Sequence, residues 1–496
     1  MNNALFIYNT LTKEKTLFEP INHPYVGMYV CGPTVYGDAH LGNARPAVVF
    51  DVVYRYLKYL GYKVRYVRNI TDVGHLENDS DDGEDKVGKK AKLEKLEPME
   101  VVQLYTDAYH QVMQKLNVLM PSIEPHASAH ITEQIQMIEE IIRNGYAYES
   151  NGSVYFDVKK YSEHHPYGEL SGRIPEELYS GTRELDGQHE KKNSADFALW
   201  KKASPEHIMR WPSPWSMGFP GWHLECSAMS AKYLGNTFDI HGGGMDLMFP
   251  HHESEIAQSK ACHGHAPAKY WMHNNMITIN GQKMAKSLGN FITLHQLFTG
   301  NNSLLDRAYS PMTVRFFMLQ AHYRGTLDFS NDALLSAQKA YKRLMNGLKI
   351  IKSLTYPENH IPKDDKLNDE IRNSINDCFN SLNDDFNTAA CIAALFNLLK
   401  KINAIHSSQI RIESIDPAVF EQMKKSFIDI IENILGLYEE KNTRTEVFIN
   451  ALLDLYREAK ILKQYDKVDK IRAIFKAEGL VIKDMKNGID WAYDEN

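Results

Sequence analysis

The sequence predicts an α/β fold in which one parallel sheet is divided between two distant stretches of chain. Three observations carry the prediction: a strand, helix, strand unit within the first 70 residues, a second alternation beyond residue 236, and a loss of strand signals after about residue 332. Tyr25 to Val30 reads as a buried strand, followed by a turn-rich stretch over 32–38 and a helical pattern over about 43–60. Residues 63–70 read as a second strand, and that spacing is a βαβ unit, which requires parallel strands. Later, 237–241 looks like a strand running into Gly242-Gly243-Gly244, with a helix over about 249–262 and a further strand over 270–279.

The two halves are separated by a long stretch of different character, so the architecture expected is a split Rossmann-like parallel sheet with an inserted domain. Helical periodicity then dominates, as over 392–400, and predicts a helical bundle. The polar run 439–443 marks a linker to a small C-terminal domain. The expected boundaries are 1–120 and 216–275 for the halves of the sheet, 121–215 for the insert, 276–331 for a connecting region, 332–438 for the bundle and 439–496 for the last domain.

With 496 residues the chain is too long for one ordinary domain. Its 43% hydrophobic and 24% charged residues are those of a globular protein. No apolar run reads as long enough to span a bilayer, and no secretory signal is visible at the start. Five scattered cysteines suit a reducing cytoplasm better than a disulfide framework. A net charge of -7 does not advertise nucleic acid, although phosphate contacts need only a local basic face.

Two short segments carry chemistry. His40-Leu41-Gly42-Asn43 falls at the turn from the first strand to the first helix, the carboxyl end of a strand, where ligands bind in doubly wound sheets. A helix N-terminus there offers unpaired N–H groups to phosphate, Gly42 admits close approach, and His40 can donate to phosphate oxygens. The second segment, Lys283-Met284-Ala285-Lys286-Ser287, sets two lysines three apart in a glycine-flanked loop. Attack of a carboxylate on the ATP α-phosphate spreads negative charge that mobile ammonium groups can follow. The pair of segments resembles the class I aminoacyl-tRNA synthetases, whose motifs are His-Ile-Gly-His and Lys-Met-Ser-Lys-Ser. The change to Ala285 costs one hydroxyl and keeps both lysines.

Four further residues suit zinc: Cys31, Cys226, His251 and Glu255, the last two spaced to share a helix face. By spacing alone the cysteines read more readily as small buried residues, the commonest fate of a free cysteine. Here the resemblance narrows to the cysteinyl-tRNA synthetases. It is carried by Val30-Cys31-Gly32-Pro33-Thr34-Val35-Tyr36, Asn69-Ile70-Thr71-Asp72, Gly221-Trp222-His223-Leu224-Glu225-Cys226, His241-Gly242-Gly243-Gly244-Met245-Asp246 and Pro250-His251-His252-Glu253-Ser254-Glu255. The resemblance implies one Zn2+ per chain on Cys31, Cys226, His251 and Glu255, with His252 and Glu253 as rival donors. It further implies a substrate pocket of Thr71, Trp222 and His241. The nucleotide site it implies comprises Pro33, Thr34, Tyr36, His40, Gly42, Asn43, Asp246 and Lys286. His40, Asn43, Lys283 and Lys286 would assist the chemistry.

The activity implied is ligation of L-cysteine to tRNA(Cys) with ATP, Mg2+ accompanying the nucleotide, by a cytoplasmic, monomeric enzyme without a membrane partner. Zinc has a physical rationale. Serine nearly matches cysteine in size, whereas zinc prefers a soft thiolate to a hydroxyl. By the same resemblance, 276–331 would carry the lysine loop and contact the tRNA stem, and 439–496 would read the anticodon. Trp491 is an aromatic available for base stacking. The basic residues between Arg457 and Lys476 alternate with acidic ones and read equally as a solvated helix. One departure stands out: after Thr71-Asp72-Val73 the family continues directly into an Asp-Asp-Lys segment, whereas here Gly74-His75-Leu76-Glu77 and an acidic patch intervene before Asp85-Lys86. That insert reads as a solvated surface loop, with a lid or cation site as the alternative. A small-molecule cysteine ligase and an inactive tRNA-binding relative are the rival readings. The C-terminal extension argues against the first, and the retained site residues against the second.

Overall fold

A computed structural model describes residues 4–77, 83–173, 190–285, 288–357, 363–440, 445–478, 480–485 and 488–493. The chain folds as two units, 1–438 and 439–496.

An N-terminal hairpin of β1 (Phe6–Asn9) and β2 (Glu14–Leu17) precedes the central strands β3 (Tyr25–Val30) and β4 (Lys63–Arg68). The helix Leu41–Tyr59 crosses between the last two and buries Val48, Val52 and Tyr56, the Tyr56 hydroxyl donating to Asn383 at 2.7 Å. The insert contributes β5 (Ala147–Ser150), β6 (Ser153–Phe156), β7 (Phe197–Lys202), β8 (Trp211–Pro212) and β9 (Met217–Pro220), an antiparallel sheet ordered β5-β6-β7-β9-β8. The chain then returns to the first sheet through the helix Trp222–Leu234, β10 (Phe238–Gly244), the helix Glu253–His263 and β11 (Ala268–Asn274).

The central sheet is parallel throughout, ordered β11-β10-β3-β4. β3 and β10 are neighbours, and their crossovers leave toward opposite edges. The switch point, where such sheets bind ligands, therefore lies between the carboxyl ends of β3 and β10. Cys31 follows β3 at that point and its N–H donates to the Gly242 carbonyl at 3.1 Å.

Three sequence expectations are corrected here. The helix expected from residue 249 begins at Glu253, behind a π-helical turn over Met248–His252. Phe249 is extended (φ -138, ψ 133), which sets that turn apart from the helix behind it. The single strand expected over 270–279 is two, since β11 ends at Asn274 and β12 (Ile277–Ile279) joins a separate sheet with β13 (Gln282–Lys283) and β14 (Leu327–Phe329). The buried Arg45 guanidinium takes the carbonyls of Met276, Tyr323 and Gly325 and turns the chain between them. Finally, the helix Thr388–His406, with a mean hydropathy of 1.3, is by length and composition apolar enough to cross a membrane. Half of that window is buried, with Leu395, Leu398 and Ile402 facing the bundle core, and this burial accounts for its composition.

The bundle consists of Asn331–Ser353, Asp365–Asn383, Thr388–His406 and Pro417–Ile428. Arg315, fully buried, pairs with Asp51 of the helix Leu41–Tyr59 while donating to the carbonyls of Leu116 and Leu435, and so joins that helix to the segment after the bundle. In the second unit, helices Thr445–Ile461 and Tyr465–Ala477 pack on a hairpin of β15 (Leu480–Met485) and β16 (Gly488–Tyr493). Trp491 is half-buried beside the small core of Ile449, Leu453 and Phe475. Lys460 and Arg472 both pair with Asp484 at 3.0 Å, so part of the basic stretch is spent locally.

Candidate functional site

A crevice of about 460 Å³ opens at the switch point, and both chemical segments line it. His40 caps the helix Leu41–Tyr59: its Nδ1 accepts the Gly42 N–H at 3.0 Å, while the Asn43 carboxamide oxygen accepts the His40 N–H at 3.1 Å. With Nδ1 an acceptor, a neutral His40 ring carries its proton on Nε2. A Cβ on Gly42 would fall 2.8 Å from the His40 ring and 3.6 Å from the Met284 methyl, so residue 42 lies directly under the lysine loop. The Phe291 ring packs edge-on against His40 with centroids 4.9 Å apart. The two segments, more than 200 residues apart in sequence, thus face each other across the crevice.

Lys283 is exposed on β13 and lines the same crevice. The loop after it is stapled by Asn290, whose Oδ1 accepts the Ala285 N–H at 2.8 Å and whose amide donates to the Lys283 carbonyl at 3.0 Å. Ala285 therefore contributes through its backbone. Lys286 and Ser287 lie outside the described residues. Pro33, Thr34, Tyr36, Thr71, Trp222 and Asp246 all stand on the crevice wall, Asp246 exposed. His241 does not: it is fully buried behind the wall, stacked on Trp271, with Nε2 donating to Glu255 Oε2 at 2.8 Å.

The donor atoms of Cys31, Cys226, His251 and Glu255 lie within 4.8 Å of one another. The separations are 3.7 Å between the two Sγ atoms, 3.7 Å from Cys31 Sγ to Glu255 Oε1 and 3.2 Å from His251 Nε2 to Glu255 Oε1. Tetrahedral zinc with bonds of about 2.3 Å to sulfur and about 2.0 Å to nitrogen or oxygen has edges of about 3.8, 3.5 and 3.3 Å for these three pairs. The side chains present fit that ion. His223 Nδ1 meets His251 Nδ1 at 3.0 Å, which leaves His251 Nε2 for a metal, as His241 leaves Glu255 Oε1. Burial pushes the thiol of Cys31 upward and that of Cys226 up to about 12, because a thiolate is poorly solvated there. A divalent ion would supply the counter-charge that converts both to ligands.

Of the rival donors, Glu253 points away from the cluster and accepts from the backbone of Leu170 and from Ser171 of the insert. His252 stays close, with Nε2 3.3 Å from Cys31 Sγ, and Cys31, His241, His252 and Glu255 form an overlapping second set. His252 Nδ1 in turn meets His273 Nε2 at 2.8 Å, and His273 Nδ1 meets Thr10 Oγ1 at 2.9 Å.

Sequence reasoning missed Glu225. This carboxylate is buried, takes bonds from Thr71 and Asn69, and has no hydrogen-bond partner for Oε2 among the described residues. Burial holds it well above the usual carboxylate range. Its adjacency to Cys226 within Trp222 to Cys226 was the available signal.

The root of the acidic insert is not a solvated loop. His75 and Asp85 are 8% and 2% exposed, and His75 and Lys86 line the crevice, while 78–82 lie outside the described residues. Asp85 accepts the N–H groups of Gly74 and Gly88, each at 2.9 Å, yet burial outweighs these bonds and raises its carboxyl to about 6. Because the folded value exceeds the unfolded one of about 3.9, the stability Asp85 lends is complete below about pH 3.9 and declines as pH rises through about 6. A carbon-detected titration of this carboxyl should therefore show a midpoint near 6; a midpoint at an ordinary aspartate value would show that the two N–H bonds prevail.

Comparison with known proteins identifies the family. The class I (C) catalytic domain of tRNA synthetases matches residues 17–339, and the DALR domain matches 379–439. The chain is 66% identical over 492 residues to the cysteine–tRNA ligase of Cytophaga hutchinsonii, covering 99% of each. It is 56% identical over 497 residues to that of Porphyromonas gingivalis, again 99% of each. The enzyme of that name from Deinococcus radiodurans is 46% identical over 501 residues, 99% of this chain and 97% of the other. Among solved structures, Mycobacterium tuberculosis methionyl-tRNA synthetase with methionyl-adenylate superposes with a TM-score of 0.57 at 13% identity, over 83% of this chain and 92% of that one. The ternary complex of Agrobacterium radiobacter LeuRS with tRNA and LeuAMS gives 0.60 at 10% identity, over 84% and 85%. These two show the shared Rossmann-like fold alone. Domain match and full-length likeness together place the chain: it belongs to the cysteine–tRNA ligase family of class I aminoacyl-tRNA synthetases.

Proposed function

We propose that the crevice activates L-cysteine with ATP and passes it to tRNA(Cys), and that the four-donor cluster selects the amino acid by holding one zinc ion. The observation that carries this reading is the donor spacing. Two sulfurs, one imidazole nitrogen and one carboxylate oxygen sit at tetrahedral edge lengths in the same crevice as His40 and Lys283. When bound there, zinc supplies a soft Lewis acid that favours a thiolate over the hydroxyl of serine.

The chain's own residues account for the rest. The cysteine carboxylate attacks the α-phosphorus of ATP and expels pyrophosphate, so no protein nucleophile is needed. His40, with its proton on Nε2, and the amide nitrogen of Asn43 donate to phosphate oxygens. Pro33, Thr34, Tyr36, Gly42 and Asp246 shape the nucleotide side. Lys283 and Lys286 follow the charge that develops on the departing pyrophosphate, which arrives with Mg2+. Trp222 and Thr71 wall the amino-acid side, and His241 orients Glu255 from behind. The 3′-terminal ribose hydroxyl of the tRNA then displaces AMP from the adenylate. Each chain would act as a monomer. The segment 276–331 would meet the tRNA stem, and 439–496 the anticodon.

The test has two arms on zinc-loaded protein. Cysteine-dependent exchange of pyrophosphate into ATP must occur, and labelled cysteine must become attached to tRNA. Absence of exchange refutes activation. Exchange without tRNA charging refutes the acceptor and points to a small-molecule ligase.

A further inference from the structure

The acidic insert places one residue in the crevice that the proposed reaction has not yet used. Gly74 adopts φ +80 and lies against the Pro220 carbonyl so closely that a Cβ would come within 2.4 Å. That approach brings the next residue, His75, flat onto the Trp222 indole, with ring centroids 3.9 Å apart and planes 9° from parallel. The indole also meets the His251 ring at 4.6 Å and the His223 ring at 5.2 Å. His75 is also held at both ring nitrogens. Lys86 Nζ lies 2.7 Å from Nε2, and Thr34 Oγ1 lies 2.6 Å from Nδ1.

The direction of this chain of bonds follows from the donor inventory. A lysine ammonium carries three N–H groups and no lone pair, so Nε2 of His75 is the acceptor. A neutral imidazole has one N–H, which must then sit on Nδ1 and be donated to Thr34. Thr34 Oγ1 therefore spends a lone pair on His75, and its own hydrogen is left to be given to another acceptor. Thr34 is half-buried on the crevice wall, three residues after Cys31, where the chain leaves β3 and turns into the site. Successive bonds of one polarity reinforce each other in a poorly hydrated site. A hydroxyl prepared in this way suits an anionic oxygen.

We propose that His75 is a positioning residue for adenylate formation. Fixed by Lys86, it aims the Thr34 hydroxyl as a donor at an anionic oxygen of the reacting pair, and its ring holds Trp222 as the wall of the amino-acid site. The anionic oxygen is that of the cysteine carboxylate or of the ATP α-phosphate. This inference rests on the activation reading above and adds to it a role for the insert.

Pyrophosphate exchange with H75F and T34V tests it. Phenylalanine keeps the stack on Trp222 and removes both hydrogen bonds. H75F and T34V should each lower kcat/KM about tenfold, as expected for one lost bond to a charged group. The double variant should be no worse than T34V alone, because His75 acts through Thr34. A loss appearing in KM for cysteine locates the carboxylate as the acceptor, and one appearing in kcat or in KM for ATP locates the phosphate. Activity of H75F within twofold of the parent, or a double variant that shows the product of the two losses, overturns the proposal. Nitrogen-15 spectra of the parent protein give a second measurement that needs no variant. His75 must show a protonated Nδ1 and an imine-type Nε2; the opposite tautomer, or a ring protonated at both nitrogens, also overturns it. Failure of the activation reading itself would appear as absent exchange in the parent protein, whatever the His75 tautomer.

Discussion

Cys226→Ser is expected to strip the chain of zinc and lower kcat/KM for cysteine by more than about 100-fold, since even outer partners of a metal site cost about 10–100-fold when removed. The exchange is close to isosteric. The buried site is Cys226 Sγ, 3.7 Å from Cys31 Sγ and 3.8 Å from Asn69 Oδ1, so a serine hydroxyl finds an acceptor nearby and the helix Trp222–Leu234 should stay folded. What is lost is a thiolate, and a hydroxyl does not replace it on zinc at neutral pH. Metal analysis should give about one zinc per parent chain and much less in the variant. Steady-state kinetics should show the loss of discrimination, with serine and cysteine drawing closer together. Full zinc occupancy in the variant would sink the assignment. It would move the metal to the overlapping set of Cys31, His241, His252 and Glu255, which lacks Cys226.

Lys283→Ala is expected to lower kcat of pyrophosphate exchange by about 100- to 1,000-fold, the usual cost of removing one group aimed at developing charge. KM for cysteine should stay within about twofold, because an interaction made only in the transition state leaves ground-state binding alone. Lys283 is exposed on a two-residue strand, so thermal unfolding should be unchanged to within about 0.5 kcal/mol. A rise in KM without loss of kcat would assign the ammonium to ground-state binding instead. A fall in stability would trace the effect to the Asn290 staple, which grips the Lys283 carbonyl.

The elements that carry the site were legible because their signals are local. β3 runs over Tyr25–Val30 as the apolar run predicts, and the helix after it begins within the His40 to Asn43 turn. His251 and Glu255 share a face although the first turn is π-helical, because a spacing of four survives the irregularity. Where a local signal was read alone it misled. Residues 270–279 look like one strand, and the break at Met276 is held by Arg45, more than 200 residues earlier, and by the bonds of Asn275 to Tyr323 and Arg324. An acidic run looks solvated, and nothing within it announces that His75 will lie flat on Trp222.

By itself the sequence determined which chemistry is available: two thiols, an imidazole and a carboxylate, a histidine and glycine at a helix start, and a lysine loop. Residue type and short spacing are properties of the chain. The tertiary structure decided which of these groups meet. It turned Glu253 toward Ser171 and left Glu255 on the cluster, drew His241 behind the wall, and brought His75 onto it. The physical reason is the strand order β11-β10-β3-β4. Pairing β10 beside β3 joins carboxyl ends more than 200 residues apart, and no local propensity encodes that register.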